Sequence, residues 1–159
     1  MRANRDDAGG QDQRHRCSCT SLRKASRRIS QLYDVALAPC GLKTTQRAIL
    51  GELRRSEPAT LGQLAAALVM DAGALAHTLK PLERDGYLAI GIDPNDRRAR
   101  LIRLTPIGQA KLIESDALWE QAQHRFDSLF GAAQSESLRA ALTILISGEF
   151  AAGFEVSLS

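Results

Sequence analysis

From residue 17 onward the apolar positions follow a helical period. Leu22, Ala25, Ile29, Leu32, Tyr33 and Ala36 recur at three- and four-residue steps, while Arg23, Lys24, Arg27, Arg28 and Gln31 fall elsewhere on the wheel. This predicts one long amphipathic helix. Pro39 and Gly41 stop it, since proline cannot continue the hydrogen-bond ladder and glycine suits the left-handed C-terminal position. Thr44 or Thr45 caps a second helix carrying Ala48, Ile49, Leu50 and Leu53. It ends near Glu57-Pro58, because the residue before a proline is pushed out of the helical region. A third helix over 60–68 places Leu61, Leu64, Ala65 and Leu68 on one stripe. After a break near Val69-Met70, Asp71 caps a fourth helix over 71–85, with Leu75, Leu79 and Leu82 inward and Gly86 closing it.

The period then changes. Leu88, Ile90 and Ile92 alternate with Ala89 and Gly91, as a half-buried strand requires. Pro94-Asn95-Asp96 is expected to turn the chain into a return strand, Arg100 to Leu104. Thr105-Pro106 is a helix start, a hydroxyl cap followed by proline where its missing donor costs nothing. Two further helices are expected over 106–130 and 135–152, separated by Gly131. On the last of them Leu138, Leu142, Leu145, Ile146 and Phe150, with Ile144 and Phe154, spread apolar surface around the cylinder. Something must cover so broad a face, and the shortest route for a small chain is a second copy of itself. Residues 1–16 carry both signs of charge without apolar periodicity and are expected to form a mobile tail.

Composition narrows the class. With 159 residues, 44% of them apolar, 25% charged and only 4% aromatic, the chain fits one domain whose core is Leu, Ile and Ala. That favours helix packing and excludes an all-β fold. The longest apolar run, Leu64 to Met70, is about a third of the ~20 residues a membrane span needs. Met1 to Arg16 also lacks the apolar stretch of a secretory signal, so no membrane association and a cytoplasmic location are expected. Three cysteines, an odd number, argue against a disulfide framework. The net charge of +3, from 21 basic and 18 acidic side chains, says little until its clustering is examined.

The clusters point to a nucleic acid. Two short helices followed by a hairpin form a winged helix-turn-helix, here helices 60–68 and 71–85 with a wing over 87–104. In that arrangement the second helix enters the major groove and the hairpin reaches an adjacent phosphate strand or the minor groove. Opposite Leu75, Leu79 and Leu82 the fourth helix presents Gly73, Ala74, His77, Thr78 and Pro81, with Lys80 at the margin. For His77 a base or phosphate contact and an idle surface position weigh equally. At the wing, Arg97, Arg98, Arg100 and Arg103 outnumber Asp93 and Asp96. Arginine there can enter a narrow minor groove, and Asp96, two residues before Arg98, is expected to hold its guanidinium in a charge-assisted pair.

The run Asp96-Arg97-Arg98 through Leu104-Thr105 to Gly108 resembles the Asp-x-Arg-x5-Leu-Thr-x2-Gly wing signature of the MarR family of bacterial regulators. The long basic first helix, Leu42 to Leu50 with Thr45-Gln46, and Pro81-Leu82-Glu83-Arg84-Asp85-Gly86 support it, and the resemblance covers residues 17–152. It implies a mainly α fold with a small β-hairpin: a winged helix-turn-helix lobe over 41–105, and a helical dimerisation lobe over 17–40 and 106–159. It also implies a homodimeric repressor on pseudo-palindromic double-stranded DNA, released by a small aromatic effector or by cysteine oxidation. The chain departs from the pattern at Ala72 and Gly73, where relatives carry a basic or hydroxyl residue. Base-edge donors are therefore few, and Arg97, Arg98, Arg100 and backbone contacts are expected to supply much of the affinity.

An effector pocket, as the resemblance implies, would lie between the lobes, with Tyr33, Arg47 and Trp119 offering aromatic walls and a guanidinium for a carboxylated phenol. Core packing is the competing role for these three. His15, Cys17 and Cys19 alternate, so an extended segment would align them as a soft metal site or reactive thiols, while packing is the plainer role for the cysteines. Cys40 lies more than twenty residues beyond Cys17, too far along a helix to join them within one chain. No nucleophile–base grouping, phosphate loop or complete metal signature is present, so neither an enzyme nor a cofactor is expected. Two alternatives stay open: a thiol- or metal-based sensor at Cys17 and Cys19, and a dimeric protein-binding module without DNA affinity.

Overall fold

The computed structural model describes residues 17–157. The helices are α1 (Ser18–Leu37), α2 (Thr44–Ser56), α3 (Leu61–Ala67), α4 (Ala72–Arg84), α5 (Pro106–Phe130), α6 (Ala132–Leu145) and α7 (Gly148–Val156). The strands are β1 (Ala59–Thr60), β2 (Leu88–Ile92) and β3 (Arg100–Leu104), and a short 3-10 turn, Ala38–Cys40, ends at Gly41. The fold is thus mainly helical with a small sheet, as the periodicity predicts, and the two strands expected of the wing are joined by a third. Ala59 pairs with Ile102 and Thr60 with Leu101, giving an antiparallel sheet ordered β1-β3-β2.

One core holds the winged half together. Ile49, Leu50 and Leu53 of α2, Leu64 of α3, Leu75, Leu79 and Leu82 of α4, Leu88 and Ile102 of the sheet, and Leu112 of α5 are all buried in it. Leu37 and Leu42 extend it to the end of α1, so the start of the winged half is fixed to the long helices. The proposed tail, His15 included, lies outside the described residues.

The C-terminal region departs from expectation. The single helix expected over 135–152 is two, α6 and α7, bent by 57° at a break around Ser147. Ser147 supplies the reason: its hydroxyl accepts from the Phe150 amide at 3.1 Å, capping a new helix rather than continuing the old one. No single helix among the described residues is long and apolar enough to cross a membrane; only the bent α6–α7 pair is apolar enough over its combined length. Leu142, Ile144, Leu145, Ile146, Phe150, Phe154 and Val156 of this pair all remain exposed in the single chain.

Candidate nucleic-acid interface

Two capped helices set the geometry. Thr60 accepts from the Gln63 amide at 3.2 Å to start α3, and Asp71 accepts from the Ala74 amide at 2.9 Å to start α4. With Leu75, Leu79 and Leu82 locked into the core, the helical phase leaves Gly73, Ala74, His77 and Lys80 exposed, as expected. Thr78 and Pro81 are half-buried, and the Thr78 hydroxyl donates to the Ala74 carbonyl at 3.0 Å, which turns it back onto its own helix.

This face of α4 does not stand alone. Together with the first turn of α2 it walls an open groove of about 610 Å³, lined by Lys43, Thr45, Gln46, His77, Thr78, Lys80, Pro81 and Arg84. Lys43, Thr45, Gln46 and Arg84 were absent from the DNA contacts expected from sequence. Thr45-Gln46 belongs to the family resemblance and Arg84 lies one helical turn past Lys80, so both were within reach of the pattern. Lys43 was not, because its place depends on how α1 meets α2. There the Asp34 carboxylate accepts from both the amide and the hydroxyl of Thr44, each at 2.7 Å, and lies 3.7 Å from the Lys43 ammonium. Burial works against its charge, but the two Thr44 hydrogen bonds and Lys43 outweigh it and hold the Asp34 carboxyl below its ordinary value.

The wing loop is longer than expected: it closes from the Asp93 amide to the Ala99 carbonyl at 3.1 Å, with a bend at Pro94-Asn95 followed by a second turn. In that second turn the Ala99 amide donates to the Asp96 carbonyl at 2.9 Å, which puts Arg97 and Arg98 at its central positions. The expected pairing of Asp96 with the Arg98 guanidinium is corrected: the Asp96 carboxylate accepts from the Arg98 backbone amide, at 2.9 Å. An aspartate bonding a backbone two residues on is the ordinary turn-stabilising contact, and it leaves the guanidinium free to reach outward. Arg97, Arg98, Arg100 and Arg103 are all exposed.

The base of the wing is tied down by the last part of the signature. The Thr105 hydroxyl donates to the Gly86 carbonyl at 2.6 Å and accepts from the Gly108 amide at 3.0 Å, and the Thr105 amide donates to the Tyr87 carbonyl at 3.1 Å. A Cβ on Gly108 would lie 1.9 Å from the Tyr87 carbonyl oxygen, so only glycine lets α5 start this close to the end of α4.

Tyr33, Arg47 and Trp119 do meet. The tyrosine and tryptophan rings are 4.9 Å apart at an edge-to-face 62°, and the Arg47 guanidinium lies 4.3 Å over Trp119. Arg47 also donates to Asp116 at 2.7 Å and to Ser115 at 3.0 Å, while Arg54 shares Asp116 at 3.4 Å. The three therefore form a packed joint between α1, α2 and α5.

The cysteines separate. Cys17 is the extended residue before α1 and Cys19 lies within the helix, so the expected extended alternation does not continue through the pair. Both are exposed, which removes packing within this chain as their role, while Cys40 is buried with its thiol donating to the Leu37 carbonyl. The Thr20 hydroxyl donates to the Cys17 sulfur at 3.3 Å, and this bond holds the thiol below its ordinary pKa. Among the described residues no three His, Cys, Asp or Glu side chains gather to hold a metal.

Comparison with known proteins agrees with this layout. The MarR family sequence model matches residues 41–99, from the start of α2 to the wing tip. The crystal structure of the Mycobacterium tuberculosis transcriptional regulator MOSR in complex with DNA is 30% identical, with a TM-score of 0.76, over 86% of this chain and 98% of that one. The chain belongs to the MarR family. Within it, the chain is 39% identical over 72 residues to the transcriptional activatory protein BadR of Rhodopseudomonas palustris, a match spanning 43% of this chain but only 41% of BadR. This MarR-family chain also resembles BpsR of Bordetella bronchiseptica, at 26% identity and a TM-score of 0.71 over 82% of this chain and 93% of that one. Its relatives are transcriptional regulators, not enzymes.

Proposed function

We propose that the chain is a homodimeric, sequence-specific DNA-binding repressor acting in the cytoplasm. The observation that carries this is the shared outward face of His77, Lys80, Arg84 and Lys43 in one groove, beside a wing tip whose Arg97 and Arg98 guanidinia are uncommitted. Two such faces related by a two-fold axis would read an inverted repeat with centres one helical turn, ~34 Å, apart. Arg97 and Arg98 then supply minor-groove or phosphate contacts. His77 and Lys80 supply direct readout, and Gly73 and Ala74 allow close approach of backbone to backbone. That MOSR was solved with DNA supports the assignment.

Titrating the gene's own upstream region at fixed salt tests it. Wild-type binding should weaken steeply as salt rises, and Arg98→Ala should cost about 1–3 kcal/mol per half-site. No binding at low salt would instead favour a protein-binding module. The sense of regulation is read by a reporter: expression should rise when the gene is deleted, and a fall would place the chain with BadR as an activator.

We infer further that a small aromatic acid acts at the Tyr33–Arg47–Trp119 joint, its carboxylate replacing Asp116 on Arg47. The regulation of BpsR DNA binding by 6-hydroxynicotinic acid supports an effector of this chemistry. Trp119 is the only tryptophan in the chain, so its fluorescence reports entry directly. Saturable quenching by 6-hydroxynicotinate that is abolished in Arg47→Ala supports the site, and unchanged emission rejects it. The depressed Cys17 thiol favours an oxidative signal as a second input. Peroxide should then release DNA from wild type but not from Cys17→Ser or Cys19→Ser.

A further inference from the structure

α2 begins on a residue that suits a helix start poorly. Its N-cap is Lys43, whose ammonium can accept no hydrogen bond and adds positive charge at the positive end of the helix. A serine, threonine, aspartate or asparagine ordinarily stands there and takes a first-turn amide. Here the acceptors come from elsewhere. The Gln46 side chain takes the Lys43 amide at 2.9 Å, and Asp34 of α1 takes the Thr44 amide at 2.7 Å. The same Asp34 oxygen accepts from the Thr44 hydroxyl, also at 2.7 Å. One carboxylate oxygen thus fastens the start of α2 to α1 and caps it in place of Lys43.

The other Asp34 oxygen faces the Lys43 ammonium at 3.7 Å, and the lysine side chain is 69% exposed. So long and open a pair contributes little in water. It keeps the ammonium at the rim of the groove without consuming it, and a phosphate in full contact would displace it. Lys43 lines that groove together with His77, Lys80 and Arg84 of α4. A cation that weakens the helix start and has only a loose partner stands opposite the recognition face, where a duplex would bring its anions.

We propose that Lys43 grips a backbone phosphate of the DNA at the rim of this groove, and that Asp34 is the positioning residue that holds it there through Thr44. The proposal rests on the DNA-binding reading above and adds to it a contact made by α2 and set by α1.

Because both bonds from Thr44 reach a single Asp34 oxygen, substitution separates charge from positioning. Asp34→Asn removes the charge and keeps an acceptor for both bonds, whereas Asp34→Ala removes charge and acceptor together. The full chain is titrated by fluorescence anisotropy, across a salt series, with a duplex from its upstream region carrying the inverted repeat. Asp34→Asn should retain wild-type affinity or exceed it, since a charge that repels phosphate is gone. Asp34→Ala should bind about tenfold more weakly than Asp34→Asn, with log K against log salt shallower by about one unit per subunit. In a Lys43→Gln background the difference between the two should shrink to less than about twofold. Thr44→Val spares the amide bond and loses the hydroxyl one, so it should weaken binding about threefold. It decides the matter if circular dichroism shows Asp34→Ala unfolded, and unchanged affinity in Thr44→Val then overturns the proposal. Equal affinity of folded Asp34→Asn and Asp34→Ala also overturns it. So does a difference that survives Lys43→Gln, which would make Asp34 a general brace. Failure of wild type to bind the duplex at low salt removes the DNA reading itself, and this extension with it.

Discussion

Gly108 and Thr105 show a sequence signature whose residues are legible before their reasons are. The spacing Leu104-Thr105-x2-Gly108 is readable in the chain, but that Gly108 packs against the Tyr87 carbonyl and that Thr105 bridges Gly86 to α5 depends on contacts spanning some twenty positions. Gly108→Ala is expected to cost about 1–3 kcal/mol by overpacking, read in urea denaturation as a lower midpoint with an unchanged slope. Arg47 carries the same lesson: as a lone arginine in a helix it looks available, and only the fold shows it held by Asp116, Ser115 and Trp119. Cys17 offers a test at this scale. Because the Thr20 hydroxyl favours the thiolate, alkylation of Cys17 in a Cys19→Ser background should reach half-maximal rate below the ordinary thiol pKa. Thr20→Val should move that midpoint up, since the stabilising bond is removed while exposure stays the same.

Elements with a strong period were legible, and their ends were legible where a cap or a proline marks them. The stripe Leu75, Leu79 and Leu82 fixes which face of α4 is outward, and that phase alone selects His77 and Lys80. What escaped were features shorter than a period. β1 has two residues and exists because β3 offers it an edge. The α6–α7 break turns on the single hydroxyl of Ser147 within an apolar run. The wing loop is longer than the sequence suggests because Asp93 and Asp96 each start a turn of their own by bonding a backbone amide two residues on. Between α3 and α4, Val69 adopts φ 50°, a left-handed conformation that a β-branched side chain resists. Val69 is exposed, so Val69→Asn should stabilise the protein by roughly 1 kcal/mol, seen as a raised Tm with its DNA affinity intact.

At the scale of the whole molecule, the breadth of apolar surface near the C-terminus raises the expectation of a partner copy. The described chain leaves Ile146 64%, Phe154 58% and Val156 74% exposed, more than an isolated helix pair tolerates in water. An Ile146→Glu/Phe150→Glu protein should sediment as a monomer at micromolar concentration. It should also bind the inverted repeat far more weakly than a single half-site loss would, because engagement of the second half-site is no longer intramolecular. The winged half of the candidate site was legible because it is local in sequence. The groove wall from α2 was not, since Asp34, which places it, comes from another helix.

α5 joins these scales. It spans 25 residues, about 37 Å, beginning in the knot at the foot of the wing and ending at the bend into α6. Pivoting where Arg47 holds Ser115 and Asp116, a tilt of about 5° moves the wing end, roughly 15 Å away, by about 1.3 Å and the bend end, roughly 21 Å away, by about 1.8 Å. With Arg47 clamping it near the middle, the helix is a lever with a fulcrum. The clamp therefore sets the inclination at which α5 carries the foot of the wing, and with it the angle at which the arginine-bearing tip is held out.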